Sequence, residues 1–184
     1  MRIHLTRAVV LDLTSPQMLR DGFRVWLGGE SGSGKSTVAM LIFGQILEQG
    51  GQVIVLDADG EYERLWELSP GSVTRIGYGG DPVAENSAEW CLDIVRSGQS
   101  LLIDLSHWTG IETRKLDQFA LDFLRGLFDM RRKKPKLTYV LVDEASQYCP
   151  QAQLPGQSEN INAFLGIVTR GRKFGLNFAL GAQQ

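Results

Sequence analysis

Cysteine is scarce: only Cys91 and Cys149 occur in 184 residues, and neither lies in a CxxC or Cys/His spacing. A disulfide-stapled secreted scaffold and a zinc site are therefore not expected, and two buried free thiols in a reducing cytoplasm are. Long apolar runs are missing as well. The stretch in "MRIHLTRAVVLDL" is short and broken by Asp12, and nowhere are there eighteen continuous apolar residues, so neither an export signal nor a membrane span is expected. Charge of one sign is lacking too, with 19 Lys and Arg against 21 Asp and Glu. A net charge of -2 does not announce a nucleic-acid binder; such a role needs a local basic surface or a ring of several subunits. Internal repeats, low-complexity tracts and linkers are absent, which leaves one hydrophobic core in one domain over residues 1–184.

What is present is an alternation of short apolar runs with longer amphipathic ones, from Phe23 onward. That rhythm predicts an α/β fold with a mostly parallel sheet covered on both faces. "FRVWLGG" reads as a buried strand, "KSTVAMLIFGQILEQGG" as a helix stopped by Gly50 and Gly51, and "QVIVLDAD" as the next strand. "GEYERLWEL" reads as a short helix, "GSVTRIGYGG" as a weak strand, "PVAENSAEWCLDIVRSG" as a helix and "QSLLIDLSHW" as a strand. The longest helix is expected up to Pro135. "LTYVLVDEA" is then a central strand, "SQYCPQAQLPGQ" a loop, "ENINAFLGIVTRGRKF" a helix and "LNFALGAQ" the last strand.

"GESGSGKS", Gly29 to Ser36, satisfies G-x-x-x-x-G-K-[ST] between a predicted strand and a predicted helix. In that context successive backbone N–H groups and the helix N-terminus converge on a phosphate. Gly29, Glu30, Ser31, Gly32, Ser33, Gly34, Lys35, Ser36 and Thr37 form the expected cradle. Lys35 is placed to reach the β- and γ-phosphates of ATP, and the Ser36 hydroxyl to join the shell of Mg²⁺. In "YVLVDEA" an apolar strand presents Asp143 and Glu144 at its C-terminal end, the edge where ligands of such sheets collect. Because adjacent strand residues face opposite ways, Asp143 is expected to face Mg²⁺ while Glu144 turns to the γ-phosphate and activates water.

In their order, "GGESGSGKST", "VLDADGEYERL", "SLLIDLS", "LVDEASQYCP" and "TRGRKFGLNFALGAQ" resemble the HerA branch of the HerA/FtsK superfamily, over about Leu13 to Gln184. "DADGEY", "LLIDLS" and "RGRKFGL" are the specific parts; the phosphate loop alone is common to many families. The resemblance implies a three-layer RecA-like P-loop (ASCE) core and an ATP-hydrolysing, hexameric translocase or helicase. Double-stranded DNA is its implied track, and a NurA-type nuclease a possible partner. It implies that Gln183 is the polar sensor of the γ-phosphate. It also implies that Arg170 or Arg172, joined by Lys173, is presented to the neighbouring subunit's nucleotide. Superfamily members that pump DNA or protein in conjugation and secretion share this core. An ATP-dependent assembly switch is a second class of reading; a small-molecule kinase is disfavoured by the Asp-Glu pair.

Other residues carry competing expectations. Asp57 and Glu61 either support the catalytic shell or cap a helix, with Asp59 placed to cap, and Asp104 is similarly placed behind the site. "MRRKKPK" reads as a solvated helix end, and His107 and Trp108 as an ordinary surface loop. The family's N-terminal barrel and C-terminal brace have no counterpart, which fits either a reduced member or a segment of a longer protein. Ser146 and Asp59 stand where relatives often have histidine.

Overall fold

The computed structural model describes residues 1–69, 71–146 and 158–182. Its first segment is an antiparallel hairpin that the sequence pattern does not mark, β1 (Arg2–His4) paired with β2 (Val10–Asp12). Helix α1 (Pro16–Asp21) opens on Ser15, whose side chain accepts from the Met18 N–H, with proline in the first turn where its missing donor costs nothing. There follow β3 (Arg24–Gly28), α2 (Lys35–Glu48), β4 (Gln52–Asp57), a 3₁₀ turn (Glu63–Trp66) and β5 (Val73–Ile76). Then come α3 (Ala88–Arg96), β6 (Ser100–Asp104), α4 (Thr113–Lys133) and β7 (Thr138–Val142). Helix α5 (Ser158–Arg170), a second 3₁₀ turn (Gly171–Phe174) and β8 (Leu176–Ala182) complete the order.

Strands β3 to β8 form one parallel sheet in the order β3-β8-β7-β4-β6-β5. Being parallel, their C-terminal ends share one edge, and everything that follows a strand gathers there. The period of two sorts the side chains into two cores. Ile54, Leu56, Val140 and Val142 point to the face covered by α3, α4 and α5, and Val53, Val55, Tyr139 and Leu141 to the face covered by α2 and the hairpin. Each fully buried side chain of this size contributes roughly 1.5–3 kcal/mol, so the central strands anchor both layers. The result is the expected three-layer α/β/α arrangement.

Three local expectations are corrected. Strand β3 is not buried: among the described residues it is an edge strand of the sheet, paired with β8 alone, and Trp26 is 58% exposed. Trp108 is not on a surface loop but 5% exposed in the core, its ring 5.6 Å from that of Phe119. Arg131, within the basic run, is 4% exposed; its Nε donates to Thr138 Oγ1 at 2.9 Å and its Nη2 to Gln52 Oε1 at 2.7 Å. A planar guanidinium can satisfy several neutral acceptors at once, so α4 turns this one cation inward and leaves its neighbours in water. Cys91 is a buried free thiol as expected, whereas Cys149 and most of the "SQYCPQAQLPGQ" loop lie outside the described residues.

Candidate active site

At the C-terminal edge of the sheet a cavity of about 590 Å³ is lined by the loop after β3, the loop after β4 and the residues after β7. Ser31, Gly32, Lys35 and Ser36 form one wall, Asp59 and Glu61 another, and Asp143 and Glu144 the floor. Four of the sequence-predicted residues, Lys35, Ser36, Asp143 and Glu144, therefore meet although they come from segments more than a hundred residues apart.

The glycines set the loop's shape. Gly34 has φ +91 at the N-cap of α2, a conformation that strains any residue with a Cβ, and a Cβ on Gly29 would lie 2.6 Å from Ser33 Oγ. No side chain caps α2, so the first-turn N–H groups remain for a ligand. The Lys35 ammonium donates to Gly29 O at 2.9 Å and Glu30 O at 3.1 Å, which holds the loop closed around its own lysine. Ser36 Oγ donates to Glu61 Oε2.

The carboxylates divide by neighbourhood. Asp57, fully buried, accepts from the backbone N–H groups of Gly60 at 2.8 Å and Tyr62 at 2.8 Å, more weakly from those of Asp59 and Glu61, and from the Tyr78 hydroxyl at 2.7 Å. Its role is thus to clamp the "DADGEY" loop. Asp59 lines the cavity rather than capping a helix, because the 3₁₀ turn starts only at Glu63 and no side chain caps it. Asp104, which the sheet register places beside Asp57, accepts from the N–H of Tyr78 at 3.1 Å and of Ser106 at 2.9 Å. Tyr78 belongs to none of the sequence motifs, yet it bonds both Asp57 and Asp104. Its signal is a tyrosine among three glycines in "GYGG", held at φ +52.

Asp143 and Glu144 do not face opposite ways. Strand β7 ends at Val142, and Glu144 takes a left-handed φ of +46, which turns both carboxylates into the one cavity. For a residue with a long side chain such a conformation costs of order 1–3 kcal/mol, and strain of this kind collects at functional sites. Burial pushes the Asp143 carboxyl up to about 7, helped by repulsion from Asp57, Asp59 and Glu144 and opposed by the Glu144 N–H. A divalent cation would relieve that repulsion and keep the carboxylate ionised. Among the described residues no three His, Cys, Asp or Glu side chains converge as a metal cage. Ser36 and Asp143 both line the cavity and offer the oxygen donors Mg²⁺ takes, an ion that needs few protein ligands and completes its shell with phosphate oxygens and water.

A pH dependence follows. Folded Asp143 keeps its proton up to about pH 7, whereas the unfolded side chain loses it near 3.8, so stability falls as pH rises through that window. Burial raises Asp57, Asp59 and Asp117 in the same direction. Melting curves between pH 4 and pH 8 should show this decline, and Asp143→Asn should lessen the slope and raise Tm at pH 8. A variant with unchanged slope would show that Asp143 is not the group responsible.

Arg170 and Arg172 are brought to the other end of the molecule. Both are exposed, Arg170 at the end of α5 and Arg172 in the turn before β8. The seven residues of β8 at ~3.3 Å each separate that turn from the cavity by about 20 Å. Gln183 lies outside the described residues.

A phosphate loop opening a helix, an acidic pair on the strand after next in space, and a parallel sheet between two helical layers define a P-loop NTPase of RecA-like fold. The chain matches the model of the family described as helicase HerA, central domain, over residues 27–121. That is more than half of its length, and the chain belongs to this family. Among solved structures it is similar to VirB4 of Thermoanaerobacter pseudethanolicus, with 14% identity and a TM-score of 0.59 over 87% of this chain and 70% of that one. It is also similar to the genome packaging NTPase B204 from Sulfolobus turreted icosahedral virus 2 in complex with ATP-gammaS, with 16% identity and a TM-score of 0.53 over 88% of this chain and 64% of that one. At these identities the likeness is one of fold. Adenylyl-sulfate kinase of Bacillus velezensis is 42% identical over 62 residues, which are 34% of this chain and 28% of the kinase. The chain thus spans less than two thirds of both the packaging NTPase and the kinase. Among the described residues no helix is long and apolar enough to cross a membrane.

Proposed function

We propose that this chain is the ATP-hydrolysing subunit of a HerA-type motor that assembles as a homo-oligomeric ring and translocates on double-stranded DNA. The observation that carries the reading is the convergence of Lys35, Ser36, Asp143 and Glu144 on one cavity at the sheet edge.

Lys35 leaves the loop carbonyls it now holds and binds the β- and γ-phosphates, while the free N–H groups of α2 take the remaining oxygens. Ser36 and Asp143 would hold Mg²⁺, which would supply charge stabilisation to the phosphate oxygens. Glu144 accepts the proton of the attacking water as its oxygen bonds to the γ-phosphorus and the bond to the β-phosphate oxygen breaks, giving ADP and phosphate. Gln183 and one of the exposed arginines complete the set, the arginine in a neighbour's site. A hydrolytic role suits a second carboxylate beside the metal-side aspartate better than a kinase role does, since no alcohol substrate is needed. A nuclease of the NurA type is the effector this reading would serve.

The test is the ATPase rate per subunit against protein concentration, with and without duplex DNA. The rate should rise with concentration as rings form, and rise again with DNA. A rate per subunit that is flat in concentration would sink the assembled motor. Indifference to DNA would move the track to protein, as in secretion-type pumps, or leave an assembly switch.

A further inference from the structure

We propose that Glu61 is a positioning residue for the metal site: it takes the proton of the Ser36 hydroxyl and so leaves that oxygen's lone pairs to Mg²⁺, an inference that rests on the ATP-hydrolysing reading above. A serine hydroxyl has one proton and two lone pairs, so a hydroxyl that serves a cation must send its proton elsewhere. Metal ligands are commonly held in this way, by an acceptor behind them that fixes their orientation. In this chain the acceptor stands 25 residues away: Ser36 Oγ donates to Glu61 Oε2. Because the single proton goes to Glu61, Asp143 takes none from Ser36, and both groups keep oxygen available to the ion.

Glu61 itself is exposed at the cavity, so what holds it in place is the chain on either side. Before it, the buried Asp57 carboxylate accepts from the N–H groups of Asp59 at 3.3 Å, Gly60 at 2.8 Å, Glu61 at 3.2 Å and Tyr62 at 2.8 Å. The Tyr78 hydroxyl donates to Asp57 at 2.7 Å and fixes the clamp in turn. After it, Tyr62 is 2% exposed, with its hydroxyl within hydrogen-bonding reach of Ser36. With its backbone tied at both ends, Glu61 gives up little further freedom on holding the serine. The other carboxylates are engaged differently. Of the five that line the cavity, Glu63 pairs with Arg75 and Glu144 accepts from Ser146 Oγ at 3.5 Å, which leaves Glu61 as the one set against the phosphate loop's hydroxyl.

AMPPCP, a triphosphate that cannot be hydrolysed, is the probe. It is titrated by calorimetry into wild type, Glu61→Ala, Glu61→Gln, Ser36→Ala and the Glu61→Ala/Ser36→Ala double variant, once with Mg²⁺ and once in EDTA. The quantity read is the gain in affinity that Mg²⁺ confers. Glu61→Ala should cut this gain by about tenfold or more, as expected when a metal ligand loses its partner. Glu61→Gln keeps an acceptor oxygen without the charge, and should hold the gain within about threefold of wild type. In the Ser36→Ala background, removing Glu61 should change nothing further, because a group that acts through a hydroxyl has no effect once the hydroxyl is gone. Affinity in EDTA should stay within a few-fold of wild type throughout, since the phosphate loop is intact. An unchanged gain in Glu61→Ala overturns the proposal, and so does a matching loss in EDTA, which would make the role one of loop folding. A loss as complete in Glu61→Gln, or additive losses in the double variant, also overturns it, by making Glu61 a charge or ligand in its own right. A larger gain in Glu61→Ala would mean that Glu61 blocks Ser36 instead of orienting it. Wild type that binds no AMPPCP defeats the ATP-hydrolysing reading, whereas binding whose Mg²⁺ gain ignores Glu61 defeats this inference alone.

Discussion

Changing Arg172 to alanine is expected to lower hydrolysis per subunit by about 10³- to 10⁵-fold, the range in which an arginine supplied to a transferring phosphoryl group acts. The geometry makes the prediction specific to trans action. Arg172 lies about 20 Å from its own chain's cavity, at the start of β8 rather than at its end. Among the described residues its exposed side chain makes one long hydrogen bond, to the Asp21 carbonyl, so little folding energy depends on it. The measurement is steady-state ATPase on Arg172→Ala, Arg170→Ala, Glu144→Gln, and an equimolar mixture of Arg172→Ala with Glu144→Gln. In randomly mixed rings about a quarter of interfaces unite an intact Glu144 with an intact Arg172, so the mixture should recover up to that share of the wild-type rate. A mixture no more active than its parts would exclude Arg172 as a trans finger. Loss in Arg170→Ala with a silent Arg172→Ala would transfer the role to the other arginine.

Glu144→Gln should reduce turnover by about 10²- to 10⁴-fold while leaving nucleotide affinity within a few-fold of wild type. The substitution keeps size and hydrogen-bonding reach but removes the group that accepts the water's proton. It also relieves one of the like charges around Asp143, so metal binding should not suffer. Single-turnover hydrolysis and equilibrium binding of a fluorescent ATP analogue separate the two effects. A loss of binding equal to the loss of rate would mean that Glu144 holds the ligand rather than activating water. Full activity in Glu144→Gln would remove it from the mechanism.

Much of the site is legible in the chain because its motifs are contiguous. The strand, glycine loop and helix around Lys35 and Ser36 are encoded within a dozen residues, and the apolar run before Asp143 marks a central strand by composition alone. Strict alternation predicts diverging carboxylates but holds only inside a strand; the left-handed turn at Glu144 is a backbone choice that no periodicity announces. Asp57 gives the converse case. Its place at a strand end is visible in the sequence, but the hydroxyl that Tyr78, 21 residues on, donates to it is not.

By itself the sequence determined that the chain alternates strands and helices, that a phosphate loop opens one helix, and that an acidic pair ends a buried strand, since each is a local pattern of period, glycine and charge. Only the tertiary structure decided which strand lies at the edge, that Trp108 and Arg131 turn inward, and that Glu61 meets Ser36. Strand order and long-range pairing follow from how two cores are packed at once, and the residues that meet as a result carry no mark of one another along the chain.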